Sequence, residues 1–145
     1  MLDIVLKLMN NQLYFIHGQA DRHSHGFYRS TLLRKGKTEL PLIRFIEYDG
    51  IERDVHVESG TSVMQAAVDN GVSGILADCG GACSCATCHC YVDEAWWSRT
   101  GEPTELESQM LDFVMDRQPN SRLGCQIVVE DELDGLVIRL PASQL

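Results

Sequence analysis

No apolar run in the chain approaches the roughly 18 residues that a membrane-spanning helix needs, and Lys7, Asn10, Asn11 and Gln12 interrupt even its mildly apolar opening. That opening has no small-residue cleavage site, so no secretory signal is expected there. Lysine is missing altogether after residue 40. From residue 41 onward six arginines face eighteen carboxylates, a net charge of −12, whereas residues 1–40 carry +3. A segment that acidic repels nucleic acid and anionic membranes and suits a partner with a basic docking face. The same acidity would keep any protein soluble. A disulfide framework is absent too. Five of the six cysteines fall between residues 79 and 90, only a few positions apart, and a disulfide gains from closing a longer loop. Such crowding favours a metal site in a reducing compartment.

What is present suffices for one domain with a core: 145 residues, 44% of them apolar, with no internal repeat. A boundary is expected near Leu40–Pro41. Before it, the sequence is basic and carries His17, His23 and His25 without a carboxylate or cysteine at ligand spacing, so no metal is assigned to them. After it, Ile43–Tyr48 alternates like a strand, Asp49-Gly50 signals a hairpin, and Arg53–Val57 reads as the return strand. Thr61 or Ser62 can cap a helix over Val63–Val68 that stops at Asn70-Gly71. A turn-rich stretch, Asp78–Ser84, leads to a short strand around His89–Val92. Thr104-Glu105-Leu106-Glu107 fits a capping box, and Leu106, Met110, Phe113 and Val114 share one face of the helix it opens. Two late strands are expected at Cys125–Val129 and Leu136–Leu140. Hairpin-like pairs around a helix indicate an α+β domain.

The informative spacing is Cys79-x5-Cys85-x2-Cys88, with Cys125 far downstream. Four thiolates are what a two-iron cluster requires. Three ligands in one loop can wrap a cluster while a distant fourth holds it to the sheet. Gly80 and Gly81, without Cβ atoms, let the backbone approach inorganic sulfur and aim N–H groups at it. Zinc is the competing metal, since Cys85-x2-Cys88 is also a zinc knuckle, although Cys125 has no nearby cysteine partner. A redox disulfide of the Cys-x-x-Cys kind ranks third, for want of a strand-to-helix context.

The run Asp78-Cys79-Gly80-Gly81-Ala82-Cys83-Ser84-Cys85-Ala86-Thr87-Cys88-His89-Cys90-Tyr91-Val92, followed later by Ser121-Arg122-Leu123-Gly124-Cys125-Gln126, resembles the adrenodoxin/putidaredoxin family over about residues 42–141. Its cysteine loop is one residue longer than the plant-type Cys-x4-Cys spacing. The resemblance implies a β-grasp ferredoxin fold: a mixed sheet, a helix packed on it and a cluster-binding loop. It also implies one [2Fe–2S] cluster on Cys79, Cys85, Cys88 and Cys125. The implied role is a monomeric electron carrier, not an enzyme. Its electron donor would be a flavin-containing, NAD(P)H-dependent ferredoxin reductase and its acceptor a haem-thiolate monooxygenase. Another branch of the family instead supplies electrons for iron–sulfur cluster assembly, and a structural zinc-binding adaptor is the alternative of a different class. Asp78, Gly80-Gly81 and Tyr91–Trp96 resemble the hydroxylase branch, whereas Cys83 and Cys90 match cysteines of the assembly branch. A bacterial-type cytoplasmic carrier is expected, or one of the mitochondrial matrix if residues 1–40 are a targeting segment.

The resemblance also assigns Asp78 and Asp112 to partner docking, with Glu107 as a helper. Gln109 stands where the family pattern has another acid. The chain lacks the terminal aromatic of one family branch, ending in Ser143-Gln144-Leu145. Cys83 and Cys90 exceed the ligand requirement and are expected to be small buried apolar side chains. His89 is expected to be structural and bonded to backbone. Trp96 and Trp97 suit either core packing or a partner surface.

Overall fold

The computed structural model describes residues 39–144, together with the backbone of two short antiparallel strands, β1 (Lys7–Met9) and β2 (Gln12–Tyr14). The chain divides into two compact units, Met1–Lys35 and Gly36–Leu145. The three early histidines, and with them the reading that they hold no metal, lie outside the described residues.

In the second unit the alternating pattern after Pro41 becomes a hairpin of β3 (Leu42–Ile46) and β4 (Glu52–His56). Ile43 and Phe45 are fully buried. Arg44, between them, points outward and grips Asp54 directly across the strands with two bonds of 2.7 and 2.8 Å. The turn closes through Gly50 at φ +87°, a left-handed conformation that glycine adopts without cost. Helix α1 (Val63–Asp69) begins at Ser62, whose hydroxyl accepts the Gln65 N–H at 3.1 Å. It buries Val63, Met64, Ala66 and Ala67 in the common core with the strands. It ends at Asn70, whose amide donates to Ala66 O at 2.9 Å.

The chain then passes through the cysteine loop into β5 (His89–Val92), buried along its whole length. Two short helices follow, α2 (Trp97–Thr100) and α3 (Glu105–Leu111), then β6 (Ser121–Leu123) and β7 (Leu136–Arg139). The sheet order is β4-β3-β7-β5-β6, with β7 parallel to β3 and antiparallel to β5. This mixed sheet with a helix on it is the expected α+β, β-grasp arrangement.

Two expectations need correction. The strand expected over Cys125–Val129 is instead a 3₁₀ turn at Gly124–Gln126, preceded by β6 and followed by a lone bridge from Val128 to Ser62. This segment bends over the start of α1. Ile127 O accepts the Val63 N–H at 2.9 Å, one of the helix's unpaired donors, and Gly124 N–H bonds Cys88 O at 2.9 Å. Its partners are thus a helix end and a loop, not a strand. Helix α3 does start at its Thr104 cap, where the hydroxyl accepts the Glu107 N–H at 3.2 Å. Yet Leu106 and Phe113 are exposed, by 56% and 78%, while Leu111 and Glu107 are buried. Met110 and Val114 do pack against the core, but the helix ends at Leu111, before Phe113 and Val114, and its buried side includes Glu107, which meets a buried arginine as described below. The tryptophans serve packing: Trp96 lies against the core with Arg99 4.8 Å above its ring, and half-exposed Trp97 donates its indole N–H to Val92 O.

Candidate metal centre

Residues 77–88 form no regular structure, and their shape comes from backbone hand. Ala77, Gly80, Gly81, Cys83 and Ala86 all have φ between 52° and 95°. For the three non-glycine residues this costs roughly 1–2 kcal/mol each, so other contacts must hold the shape. Thr87 supplies several. Its carbonyl accepts the N–H groups of Leu76 and Ala77, at 3.0 and 3.2 Å. Its hydroxyl accepts the Asp78 N–H at 3.0 Å and lies 3.1 Å from Cys85 Sγ. Left-handed residues in such a loop turn backbone N–H groups toward negative charge, and here the N–H groups of Ser84 and Gly81 bond the Cys79 sulfur.

The thiols gather there as two adjacent pairs. Cys79 donates its backbone N–H to Cys85 Sγ at 3.3 Å. The Cys79 thiol is lowered to about 6, first by the Ser84 N–H and then by the Cys85 side chain. Across the loop, Cys125 is also lowered to about 6, chiefly by a hydrogen bond from Cys88, with smaller help from Gln126 and the Cys83 N–H. Gln126 Nε2 lies 3.4 Å from Cys125 Sγ. Cys88 is correspondingly pushed up, as the donor to Cys125 and through its burial. Cys79, Cys85 and Cys125 are half-buried, Cys88 is buried, and all six cysteines are free. Among the described residues, no three His, Cys, Asp or Glu side chains are grouped to hold one metal ion.

Two glycines lie where the pairs approach, and of these Gly124 is the tight one. A Cβ on Gly81 would sit 3.4 Å from Met64 Cε and 3.8 Å from Cys125 Cβ. On Gly124 it would meet backbone, Met64 N at 3.2 Å and Cys88 O at 3.3 Å. Gly124 therefore allows the turn carrying Cys125 to lie against both α1 and the end of the loop.

Cys83 and Cys90 are buried, as expected of small apolar side chains. Burial pushes the Cys83 thiol up, and raises Cys90, whose Sγ donates to Arg122 O at 3.5 Å, to about 12. His89 is structural, but its ring bonds a hydroxyl, Ser121 Oγ at 2.8 Å, not backbone. Burial lowers it to about 4, and its Nδ1 has no partner among the described residues. Asp78 is exposed next to Cys79. Asp112 is exposed at the end of α3 and ion-paired with Arg117. Glu107 is no docking residue. It is fully buried, accepts Arg122 Nε at 2.8 Å and Nη2 at 3.1 Å, and also accepts the Leu123 N–H at 2.8 Å. Arg122 bonds Thr100 O and Gly101 O as well, fastening both short helices to the strand that leads to Cys125.

The sequence reading missed the structural parts played by Thr87, Gly124, Arg122 and Gln144. Three of them stand within the quoted motifs, but nothing local marks their distant partners.

A family model described as a 2Fe-2S iron-sulfur cluster binding domain matches residues 46–130. The chain belongs to the [2Fe–2S] ferredoxins. The ferredoxin CarAc of a Sphingomonas species is 55% identical over 95 residues, covering 66% of this chain and 87% of that protein. Putidaredoxin of Pseudomonas putida is 48% identical over 101 residues, covering 69% of this chain and 94% of that one. A crystal structure of the covalent putidaredoxin reductase–putidaredoxin complex matches with a TM-score of 0.67 at 46% identity, over 69% of this chain and 97% of that one. The ferredoxin is thus of the putidaredoxin type, an electron carrier that binds one [2Fe–2S] cluster, and the zinc adaptor is set aside. Its residues fit that group: adjacent thiols, N–H groups bonded to the sulfur of Cys79 and Cys125, and Gly124, where a Cβ would press on the backbone of Met64 and Cys88. Among the described residues no helix is long and apolar enough to cross a membrane.

Proposed function

We propose that this ferredoxin takes one electron from a flavin-containing, NAD(P)H-dependent ferredoxin reductase and delivers it to a haem-thiolate monooxygenase in a bacterial cytoplasm. Cys79 and Cys85 hold one iron, Cys88 and Cys125 the other. The observation that carries this assignment is that Cys79 adjoins Cys85 and Cys88 adjoins Cys125 at one loop; the Cys83 thiol also reaches Cys125 but is buried. When bound, the cluster accepts and returns a single electron.

The chain's own residues prepare that exchange. The N–H groups of Ser84, Cys79 and Cys83 face thiolate sulfur and favour negative charge there before any partner arrives. Burial of Cys88 under β5 keeps water from one side of the site, while half-exposed Cys79 and Cys85 bring the other side to the surface. Asp78 stands beside that opening and Asp112 on a separate element; both take part in docking to a basic partner face. Arg117 already offsets Asp112, so Asp78, with no ion partner among the described residues, carries the larger share. Burial of Cys83 and Cys90 supports a packing role for both and gives no support to an assembly function. Residues 1–40 are an extension that cluster binding does not use, because β3 and everything after it supply the site. The carrier works as a monomer.

The test is electron transfer in a reconstituted system with a reductase of the putidaredoxin reductase type and a haem-thiolate monooxygenase. Turnover should require the ferredoxin and fall as salt rises, since the Debye length shrinks to about 8 Å at physiological ionic strength. Asp78→Asn should slow transfer more than Asp112→Asn, with the visible spectrum intact. Support of a cluster-assembly system but of no monooxygenase would overturn the reading.

A further inference from the structure

Gln144 is polar, lies beyond the last strand, and is nonetheless buried. Every polar atom of its side chain is engaged. Oε1 accepts the His89 N–H at 3.0 Å, and Nε2 donates to His89 O at 2.9 Å and to Gly74 O. A carboxamide that bonds both the N–H and the C=O of one residue imitates a neighbouring strand's peptide group. His89 is the first residue of β5, immediately after Cys88. Its N–H is shared with Ala86 O at the longer distance of 3.2 Å. Gly74 is at the other end, ahead of Cys79. Its backbone is left-handed at φ +98°, and the Leu140 side chain packs beside it.

One side chain thus ties the entry of the cysteine loop to its exit, across sequence separations of 70 and 55 residues. The loop has two cross-ties. The inner one is Thr87 with Leu76, Ala77 and Asp78. The outer one is Gln144.

We propose that Gln144 is a positioning residue for the metal loop: the C-terminal tail is a clasp that holds Gly74 and His89 in place and so keeps Cys79, Cys85 and Cys88 together. The inference rests on the assignment of those cysteines as ligands. Because the inner tie survives without Gln144, losing the clasp loosens the loop and leaves the fold standing. Thr87 still holds Ala77, so the strain is relieved at left-handed Cys83 and Ala86.

The experiment uses the holo-ferredoxin with Gln144→Leu and Gln144→Glu. Leucine removes all three bonds at similar volume. Glutamate keeps an acceptor for His89 N–H but loses both donors and faces two carbonyls. Two readouts are taken: cluster release to an iron chelator, and amide hydrogen exchange resolved along the chain. Cluster release should be about tenfold faster in both variants, the scale of a lost buried hydrogen bond. Exchange should rise across residues 74–89 and stay at the wild-type level in β3 and β4. The His89 amide should exchange faster in Gln144→Leu than in Gln144→Glu, a difference that a general loss of stability does not produce. Wild-type release and exchange in Gln144→Leu would overturn the proposal, as would an equal rise in the hairpin. If Gln144→Leu fails to fold, the clasp is more than a positioning device and the proposal is wrong, unless Gln144→Glu folds and shows the local pattern. A parallel Cys85→Ser chain separates this test from the ligand assignment: if it keeps its cluster, the assignment fails whatever the exchange pattern shows.

Discussion

The β3–β4 hairpin, which joins two strands, and the cysteine loop, which leads from α1 into β5, are fixed by opposite means. The hairpin is local. Its strands alternate, its turn is an Asp-Gly pair, and its cross-strand bonds join residues close in sequence, such as Arg44 with Asp54. The loop is strained, with five left-handed residues. Thr87 ties it from within, and the rest of what holds it comes from far along the chain: Gly124 against Cys88, Gln144 against Gly74 and His89, and Glu107 bracing the strand that leads to Cys125. A structural turn can rest on its own sequence. A loop that must present sulfur and N–H groups in a set arrangement uses strained backbone, and such backbone persists only when its surroundings hold it.

That contrast predicts where damage is greatest. Glu107→Ala should be the most costly change, because it leaves the Arg122 guanidinium and the Leu123 N–H buried without their partner. A loss of about 3–5 kcal/mol is expected from denaturant unfolding, together with faster cluster loss. A loss under about 1 kcal/mol would mean that the distant brace is unimportant and the contrast false.

Gly124→Ala comes next. The new Cβ meets backbone atoms of Met64 and Cys88, which cannot rotate away. About 1–3 kcal/mol of destabilisation is expected, with cluster retention more affected than hairpin amide exchange. Equal effects on both would show that the two regions are not independently held.

How much of this was legible in the sequence follows the same division. Ser62 as a cap, the Asp49-Gly50 turn, Thr104 as a cap and the strand at β5 all depend on neighbours in sequence, and all were readable. The Cys125 segment looks like a strand because Ile127-Val128-Val129 is a run of β-branched residues, the composition of many strands. Only its approach to α1 makes it a turn. In α3 and just after it, Met110 and Val114 pack against the core as the pattern suggests, whereas Leu106 and Phe113 look like core residues and are exposed. The side chain that decides its orientation is Glu107, through an arginine 15 positions away. A carboxylate on a helix gives no local sign that it will be buried. The cysteine spacing was conspicuous, whereas Thr87 and Gln144, which hold the loop, are ordinary polar residues until their partners are known.

The smallest effect belongs to the hairpin. Asp54→Asn removes a charge on the exposed face of the hairpin, and no measurable change in the unfolding midpoint is expected at physiological salt. The pairing with Arg44 holds the Asp54 carboxyl below the usual carboxylate range. Any contribution is therefore present at neutral pH and is lost only as pH falls through that lowered value. A clear destabilisation at neutral pH, similar to that of Gly124→Ala, would erase the distinction between the two regions.

The account rests most directly on which sulfurs hold the cluster. Iron and acid-labile sulfide should be measured per chain in six single variants, with serine at each cysteine in turn. Serine offers a harder oxygen that suits iron less well than thiolate. Cys79→Ser, Cys85→Ser, Cys88→Ser and Cys125→Ser should lose the cluster or hold it only weakly, while Cys83→Ser and Cys90→Ser should keep about two irons and two sulfides. Retention of a full cluster in Cys125→Ser, or its loss in Cys83→Ser, would contradict the pairing of Cys79 with Cys85 and of Cys88 with Cys125.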